Sequence, residues 1–337
     1  MLGNFLFKII AFALSAIAGF ASIILPKRKL RVTEKKCVFV TGCDSGLGLT
    51  IAHKCYELGF FVIAGCLSLE SDGAKNLIEL DGNKRMIVTE IDIRNNDSIE
   101  KARNVVNDLV VRNELIFTAL VNNAGVMSFG EFEWQTFNLI ENQIQVNLLG
   151  TMKLTKVFLP MCRKYNARVV IVTSHCSLQS LPGLAPYGAS KAGLRFFIDS
   201  LRVEMKKYYV DVVNFIPGSF VLQSNIMSRQ RQDALEMKQQ FTEEQLEFYN
   251  DYFNDYNNYL LQIEQYRKPG LIKDVAMTKM FESALLDVNP HAVYVNQNWR
   301  YAIYHFLCGI SPAFIRDWLI QRFVQMPSYK PTAKTQK

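Results

Sequence analysis

From residue 37 onward, short apolar runs alternate with segments whose apolar positions recur every three or four residues. The runs predict strands at 37–41, 60–65, 86–91, 117–121, 168–173 and 210–216. The periodic segments predict helices at 46–58, 72–80, 97–111 and 187–207, with one long helix near 135–163. Strands that are apolar throughout and separated by helices belong to a parallel sheet covered on both faces. The expected fold is therefore α/β, a doubly wound parallel sheet whose ligands bind at the carboxyl ends of its strands. His291–Val295 predicts a last edge strand.

Three segments break this rhythm. Phe5 to Leu25 is apolar apart from Lys8 and two serines, about 21 residues, and is followed directly by Pro26-Lys27-Arg28-Lys29. At about 1.5 Å per residue such a helix spans about 30 Å, the thickness of a bilayer core. A cleaved signal would carry a shorter apolar stretch and a small-residue cleavage site. Residues 1–31 are therefore expected to be an uncleaved N-terminal membrane anchor helix. The basic block places the remainder of the chain on the cytosolic side of the endoplasmic reticulum membrane. Residues 219–270 form a polar insertion, rich in glutamine and tyrosine, with aromatics at 249, 252, 253, 256 and 259 in helical spacing and Pro269-Gly270 at its end. It reads either as an amphipathic helix packing on the sheet or as a lid over a substrate pocket. Trp299–Val324, opening a C-terminal helical extension over 299–337, is apolar but interrupted by Arg300, His305, Arg316, Asp317 and Arg322. That pattern suits a helical hairpin lying in a lipid headgroup region; a core helix is the other reading. Residues 32–298 make up the domain between anchor and extension.

Charge and cysteine content narrow the partners. The 337-residue chain has a net charge of +7, yet residues 1–31 and 300–337 together carry +10, so the middle is near −3. Basic ends around a slightly acidic centre fit a membrane surface better than nucleic acid. The seven cysteines show no metal-ligand spacing and are odd in number, which reads as reduced, buried thiols and no metal site.

Two stretches carry chemistry. The first predicted strand runs into Thr41-Gly42-Cys43-Asp44-Ser45-Gly46-Leu47-Gly48. Gly42 allows a tight turn, Gly46 lets the backbone approach a pyrophosphate, and Gly48 lets the next helix pack closely. The amides at that helix N-terminus then face the phosphates. Further on, Ser174 precedes Tyr187 by thirteen residues, and Lys191 follows Tyr187 by four, one helical turn away on the same face. A free phenol titrates near ~10, and an ammonium beside it is expected to bring that value down towards the working range of a general acid–base. Ser174 is placed to bond the substrate oxygen.

Together these residues resemble the short-chain dehydrogenase/reductase family. The match takes in Thr41–Gly48, Asn122–Gly125, Asn147, Ser174, Tyr187, Lys191 and Pro217-Gly218, in order and over roughly residues 36–300. Ala64–Leu67, Phe129–Trp134 and Met326–Lys330 are most similar to the branch holding retinol dehydrogenases, type 2 17-beta-hydroxysteroid dehydrogenase and 3-hydroxybutyrate dehydrogenase. The resemblance implies a Rossmann sheet and a catalytic set of Asn147, Ser174, Tyr187 and Lys191, with Asn147 holding a water that links the lysine to solvent. It implies cofactor contacts at Gly42, Asp44, Ser45, Gly46, Leu47, Gly48, Asp92, Ile93, Asn123, Ala124, Gly125, Tyr187, Lys191, Pro217 and Gly218. Asp92 matches the family's adenine-binding aspartate; read alone, it is equally a helix N-cap or loop acid. His175, Cys43 and Cys176 read as packing or loop residues.

The cofactor is expected to be NAD rather than NADP. Gly65–Ser68 holds no arginine for a 2′-phosphate, and Asp44 repels one, although the acid that usually binds the ribose hydroxyls is missing there. The expected activity is the interconversion of an alcohol and its carbonyl on an apolar steroid- or retinoid-like substrate. The alternatives are a 3-hydroxybutyrate-type dehydrogenase and a non-catalytic, cofactor-sensing membrane protein. Relatives of this kind often form homo-oligomers.

Overall fold

The computed structural model describes residues 28–81, 84–324 and 326–330. Most of the expected anchor and its orientation lie outside those residues. No helix among the described residues is long and apolar enough to cross a membrane.

The sheet builds in two directions from one strand. β1 (Lys36–Thr41) leads through α1 (Gly46–Glu57) to β2 (Phe61–Cys66), then through α2 (Asp72–Asp81) to β3 (Met86–Glu90). After α3 (Asn96–Arg112) the chain returns as β4 (Ile116–Asn122) on the other side of β1. From there α4 (Phe137–Ile144), a π-helical stretch Gln145–Gly150 and α5 (Thr151–Tyr165) lead to β5 (Arg168–Val172). Next come α6 (Ala185–Lys206) and β6 (Val212–Ile216), then α7 (Gln230–Gln239), α8 (Glu243–Glu264) and α9 (Val275–Leu286) before β7 (Val293–Val295). The order is β3-β2-β1-β4-β5-β6-β7 and every pairing is parallel, the doubly wound α/β arrangement expected. The direction reverses between β1 and β4, which opens the ligand crevice above their carboxyl ends.

Alternate residues of the buried strands feed two cores, one on each face. Val38, Val40, Val62 and Ala64 face Ile51, Ala52 and Phe281 of α1 and α9. Phe39, Ile63 and Phe117 face Ile99, Phe158 and Leu194 of α3, α5 and α6, where Phe39 stacks on Phe158 with ring centres 5.1 Å apart. Most element ends fall within two residues of the expected ones. β6 begins at Val212 rather than 210: Tyr209 takes a left-handed φ of 57° and the Val210 amide still donates to the Met205 carbonyl. Those two residues finish the turn that ends α6.

The insertion is not one helix against the sheet. A turn at Val221–Gln223 precedes α7, and a capping box between Thr242 and Gln245 starts α8 separately. The aromatic face of α8 packs instead on Trp134, in the loop after β4. Tyr249, Tyr252, Phe253 and Tyr256 all meet that indole edge to face, with centres 5.2–5.7 Å apart. The end of the chain forms a hairpin of α10 (Trp299–Ile310) and α11 (Ala313–Phe323). It is no core helix, since Phe306 is 65 % and Phe314 74 % exposed.

Candidate active site

Tyr187 and Lys191 lie in the first two turns of α6, which Pro186 helps to start. Both are buried, and the Lys191 Nζ stands 5.9 Å from the centre of the Tyr187 ring. That Nζ donates to the Val172 carbonyl at the end of β5, 3.3 Å away. Two residues on, Ser174 opens a 3-10 turn, its Oγ accepting from the Cys176 amide at 3.1 Å. The Ser174 hydroxyl lies close enough to Tyr187 to favour its phenolate, against the effect of burial. The expected trio is thus assembled by the end of β5 and the start of α6.

Asn147 sits in the π-helical stretch, a local widening common at functional sites. Its Oδ1 accepts from the Val126 amide at 2.8 Å, and its Nδ2 donates to the Val126 carbonyl at 2.9 Å and to Ser190 Oγ at 3.0 Å. Ser190 in turn donates to the Tyr187 carbonyl at 2.7 Å. Both amide hydrogens of Asn147 are therefore committed to fastening the loop after β4 to α6. The side chain thus braces the loop after β4 against α6.

Burial shifts the two central groups in opposite directions. It pulls Lys191 down to about 8 and pushes Tyr187 above the ordinary phenol range. Cys176 raises Tyr187 further, and the neighbouring Ser174 hydroxyl works the other way. The lowering of the phenol expected from Lys191 is not what the structure shows. Removing both side chains from water outweighs their proximity. Cys176 and Cys43 are thiols raised mainly by burial, as expected of packing residues. All seven cysteines are buried and free, and the described residues hold no cluster of three or more metal-ligating groups.

The glycine turn suits a dinucleotide. Gly42 and Gly46 adopt left-handed φ values of 72° and 55°. A Cβ on Gly46 would come within 2.6 Å of the Ser224 side chain, so only glycine allows that approach. Ser45 stands at the N-cap of α1 without a side-chain cap bond, which leaves first-turn amides oriented for an anion. Leu47 and Gly48 continue that turn.

The Asn122–Gly125 segment lies across the crevice. Asn123 Nδ2 donates to the Thr41 carbonyl at 2.9 Å and the Gly42 carbonyl at 3.2 Å, while the Ala124 amide donates to Thr41 Oγ1 at 3.3 Å. Here the asparagine side chain supports the turn. A Cβ on Gly125 would lie 3.4 Å from Lys191 Nζ, so this segment also passes close to that lysine.

Asp44 reaches beyond its turn. Its carboxylate accepts from the Leu67 amide at 2.9 Å and the Ser68 amide at 3.1 Å, just past β2. Asp92, after β3, is not an N-cap, because Asn95 caps α3. Its carboxylate grips Arg94 at 2.7 Å, which holds its pKa below the usual range. Ile93 is buried against Gly150. Pro217 and Gly218 follow β6, where Asn296 Nδ2 donates to the Pro217 carbonyl at 2.8 Å.

Sequence reasoning missed a buried polar network beside this site. Ser128 Oγ donates to Asp233 Oδ2 at 2.6 Å, and Gln230 bonds both backbone groups of Phe129, fastening α7 to the loop after β4. It also missed Asn296 and His305. No local spacing signals these partners, which lie far apart along the chain.

Known proteins share this arrangement. Residues 36–234 match the family model for short chain dehydrogenases. The mitochondrial D-beta-hydroxybutyrate dehydrogenase of Rattus norvegicus is 33 % identical over 77 % of this chain and 76 % of its own length. For the mouse and bovine enzymes of that name, the match spans 60 % and 56 % of their length. Retinol dehydrogenase 7 of Rattus norvegicus is 31 % identical over 91 % of this chain and 95 % of its own. The human 17-beta-hydroxysteroid dehydrogenase type 2 is 31 % identical over 92 % and 81 %. Among solved structures, an alcohol dehydrogenase from Thermococcus sibiricus complexed with 5-hydroxy-NADP has the same fold, with a TM-score of 0.52 at 22 % identity over 59 % of this chain and 81 % of its own. With its parallel sheet, its glycine turn and a matched span exceeding half its length, the chain belongs to the short-chain dehydrogenase family.

Proposed function

We propose that this oxidoreductase interconverts an alcohol and its carbonyl on an apolar, steroid- or retinoid-like substrate, with NAD(H) as cofactor. The observation that carries the reading is the setting of Tyr187. Its phenol lies beside Ser174 and Lys191 and packs in an apolar cluster with Met127, Leu184, Met227 and Phe253. An apolar alcohol is held by such walls, with its oxygen directed to the few polar groups present.

Bound NAD supplies the hydride acceptor at its nicotinamide ring. The residues handle the rest. Ser174 donates to and orients the reacting oxygen. Tyr187 gives its proton to the carbonyl oxygen in the reducing direction; in the oxidising direction it takes the hydroxyl proton as its own passes towards Lys191. Burial favours the neutral phenol, the form that donates to a carbonyl oxygen. Lys191, with its pKa near 8, exchanges protons close to neutrality. Asn147 acts through the loop it braces. Asp44 and the amides of Ser45–Gly48, with Asp92, Ile93, Asn123–Gly125 and Pro217-Gly218, form the cofactor side.

The hydroxy-acid alternative is less well served. The buried charge in the insertion is Asp233, an acid, which disfavours a substrate carboxylate. Membrane attachment through residues 1–31 at the endoplasmic reticulum agrees with an apolar substrate. The hairpin, exposing Trp299, Phe306, Phe314 and Trp318 beside Arg300, Arg316 and Arg322, supports a second lipid contact. The test is to incubate the full chain in detergent with NAD and a steroid alcohol, retinol and 3-hydroxybutyrate. Preference for the short hydroxy acid would overturn the substrate class. A chain lacking residues 1–31 that is freely soluble without detergent would remove the second contact.

A further inference from the structure

The hairpin and the catalytic loop meet at two imidazoles. His175 follows Ser174 directly, and its Nδ1 lies 3.0 Å from Nε2 of His305 on α10. The rings are nearly parallel, 8° apart, and Tyr301 of the same helix closes over His175 with centres 5.6 Å apart. The backbone of Asn296 lies beside the His175 ring.

These contacts assign the protons. His305 bonds through Nε2 and leaves its Nδ1 without a partner, which makes Nε2 the protonated nitrogen of that ring. A neutral His175 then presents Nδ1 as an acceptor, so His305 donates through Nε2–H.

The connection continues past His175. Asn296 donates from its amide to the Ile216 carbonyl and from Nδ2 to the Pro217 carbonyl, both at 2.8 Å. A bond therefore runs from the hairpin to the residue beside Ser174, whose ring lies against the Asn296 backbone that holds the Pro217-Gly218 turn at the cofactor side. Within α10 only Cys308 is otherwise buried, so this is a directed polar link from a largely exposed helix.

We infer that His305 is a positioning residue, through which the C-terminal hairpin holds the Ser174 loop and the Pro217-Gly218 turn in register for the reaction. The inference rests on the proposed role of Tyr187, and the test separates the two. Without the His305 donor, the half-buried His175 Nδ1 loses its partner, and its ring and loop are free to shift.

The experiment compares His305→Ala, His305→Asn and His305→Gln in the full chain. A glutamine amide reaches the level of Nε2, whereas an asparagine amide reaches only that of Nδ1. The expected result is a fall in kcat of about tenfold in His305→Ala and His305→Asn, with KM little changed, and recovery in His305→Gln. Amide exchange without cofactor or substrate provides a second readout. Exchange at Cys176 should quicken about tenfold in the alanine and asparagine variants and stay slow in the glutamine variant. Ile303→Ala, an exposed change on the same helix, should leave both readouts alone. Unchanged kcat and exchange in His305→Ala, or equal damage in all three His305 variants, overturns the inference while Tyr187→Phe stays inactive. An active Tyr187→Phe is a different failure, that of the catalytic reading itself.

Discussion

Lys191 and Tyr187 sit one turn apart on a buried face of α6, with 5.9 Å between the ammonium nitrogen and the ring centre. Burial acts on both, but it favours the neutral form of each. It pulls the lysine down to about 8 and pushes the phenol up. The resting pair is therefore a neutral phenol beside a lysine that titrates near 8, an arrangement that costs the fold some stability.

That cost gives Lys191→Met a specific signature. The folded pKa near 8 lies below the unfolded value of 10.5, so the unfolded chain binds more protons between those two values. The wild-type fold thus gains stability from this group as pH rises from about 8, and bears its full penalty below it. Methionine removes the penalty. The variant should be more stable than wild type at pH 7 by up to about 3 kcal/mol, an advantage that shrinks towards pH 10. Denaturant melts across that range, with turnover measured alongside, check it. A variant less stable at pH 7 would mean that the ammonium is better compensated than its burial suggests.

Tyr187→Phe keeps the ring in its apolar cluster and removes only the hydroxyl. Loss of a positioned general acid–base lowers kcat by about 10²- to 10⁴-fold. NADH binding, followed by fluorescence, should change little, because the glycine turn lies on a different element. Comparable losses of turnover and cofactor affinity would point to damage to the site as a whole.

Asn147→Leu removes the brace between the loop after β4 and α6. The Val126 amide and carbonyl lose their partners, which costs about 2–3 kcal/mol of stability. Activity should fall further than that loss explains, since Ser190 and the Tyr187 carbonyl depend on the same link. Asn147→Asp is the informative companion: it keeps the acceptor for the Val126 amide but sets a carboxylate against the Val126 carbonyl.

Much of this architecture is legible in the chain. Apolar runs such as 37–41 and 168–173 mark strands because a sheet covered on both faces has no polar side to show. The glycine turn and the Ser174–Tyr187–Lys191 spacing are local, and folding keeps them so. The features that escape depend on contacts between distant segments. The aromatic stripe of α8 identifies a buried face without naming Trp134 as what buries it. Nothing near His175 announces His305, 130 residues away. The direction of the Tyr187 shift escapes for the same reason: proximity to Lys191 is a matter of spacing, whereas burial is set by the cluster that the insertion completes.

Cofactor choice supplies the last test. Two amides just past β2, those of Leu67 and Ser68, fix the Asp44 carboxylate at 2.9 Å and 3.1 Å, so it cannot easily swing away from an incoming phosphate. In this fold the end of the second strand is where the adenosine ribose lies. A 2′-phosphate there would meet a fixed negative charge, and Gly65–Ser68 offers no arginine to balance it. Wild type should accordingly prefer NAD in kcat/KM. Asp44→Asn retains an acceptor oxygen for the loop and removes the charge. It should narrow that preference by about tenfold, chiefly through a lower KM for NADP, with the fold intact. Parallel kinetics with both cofactors on both proteins decide the matter, and a wild type that uses NADP as well as NAD would show that Asp44 does not face the ribose.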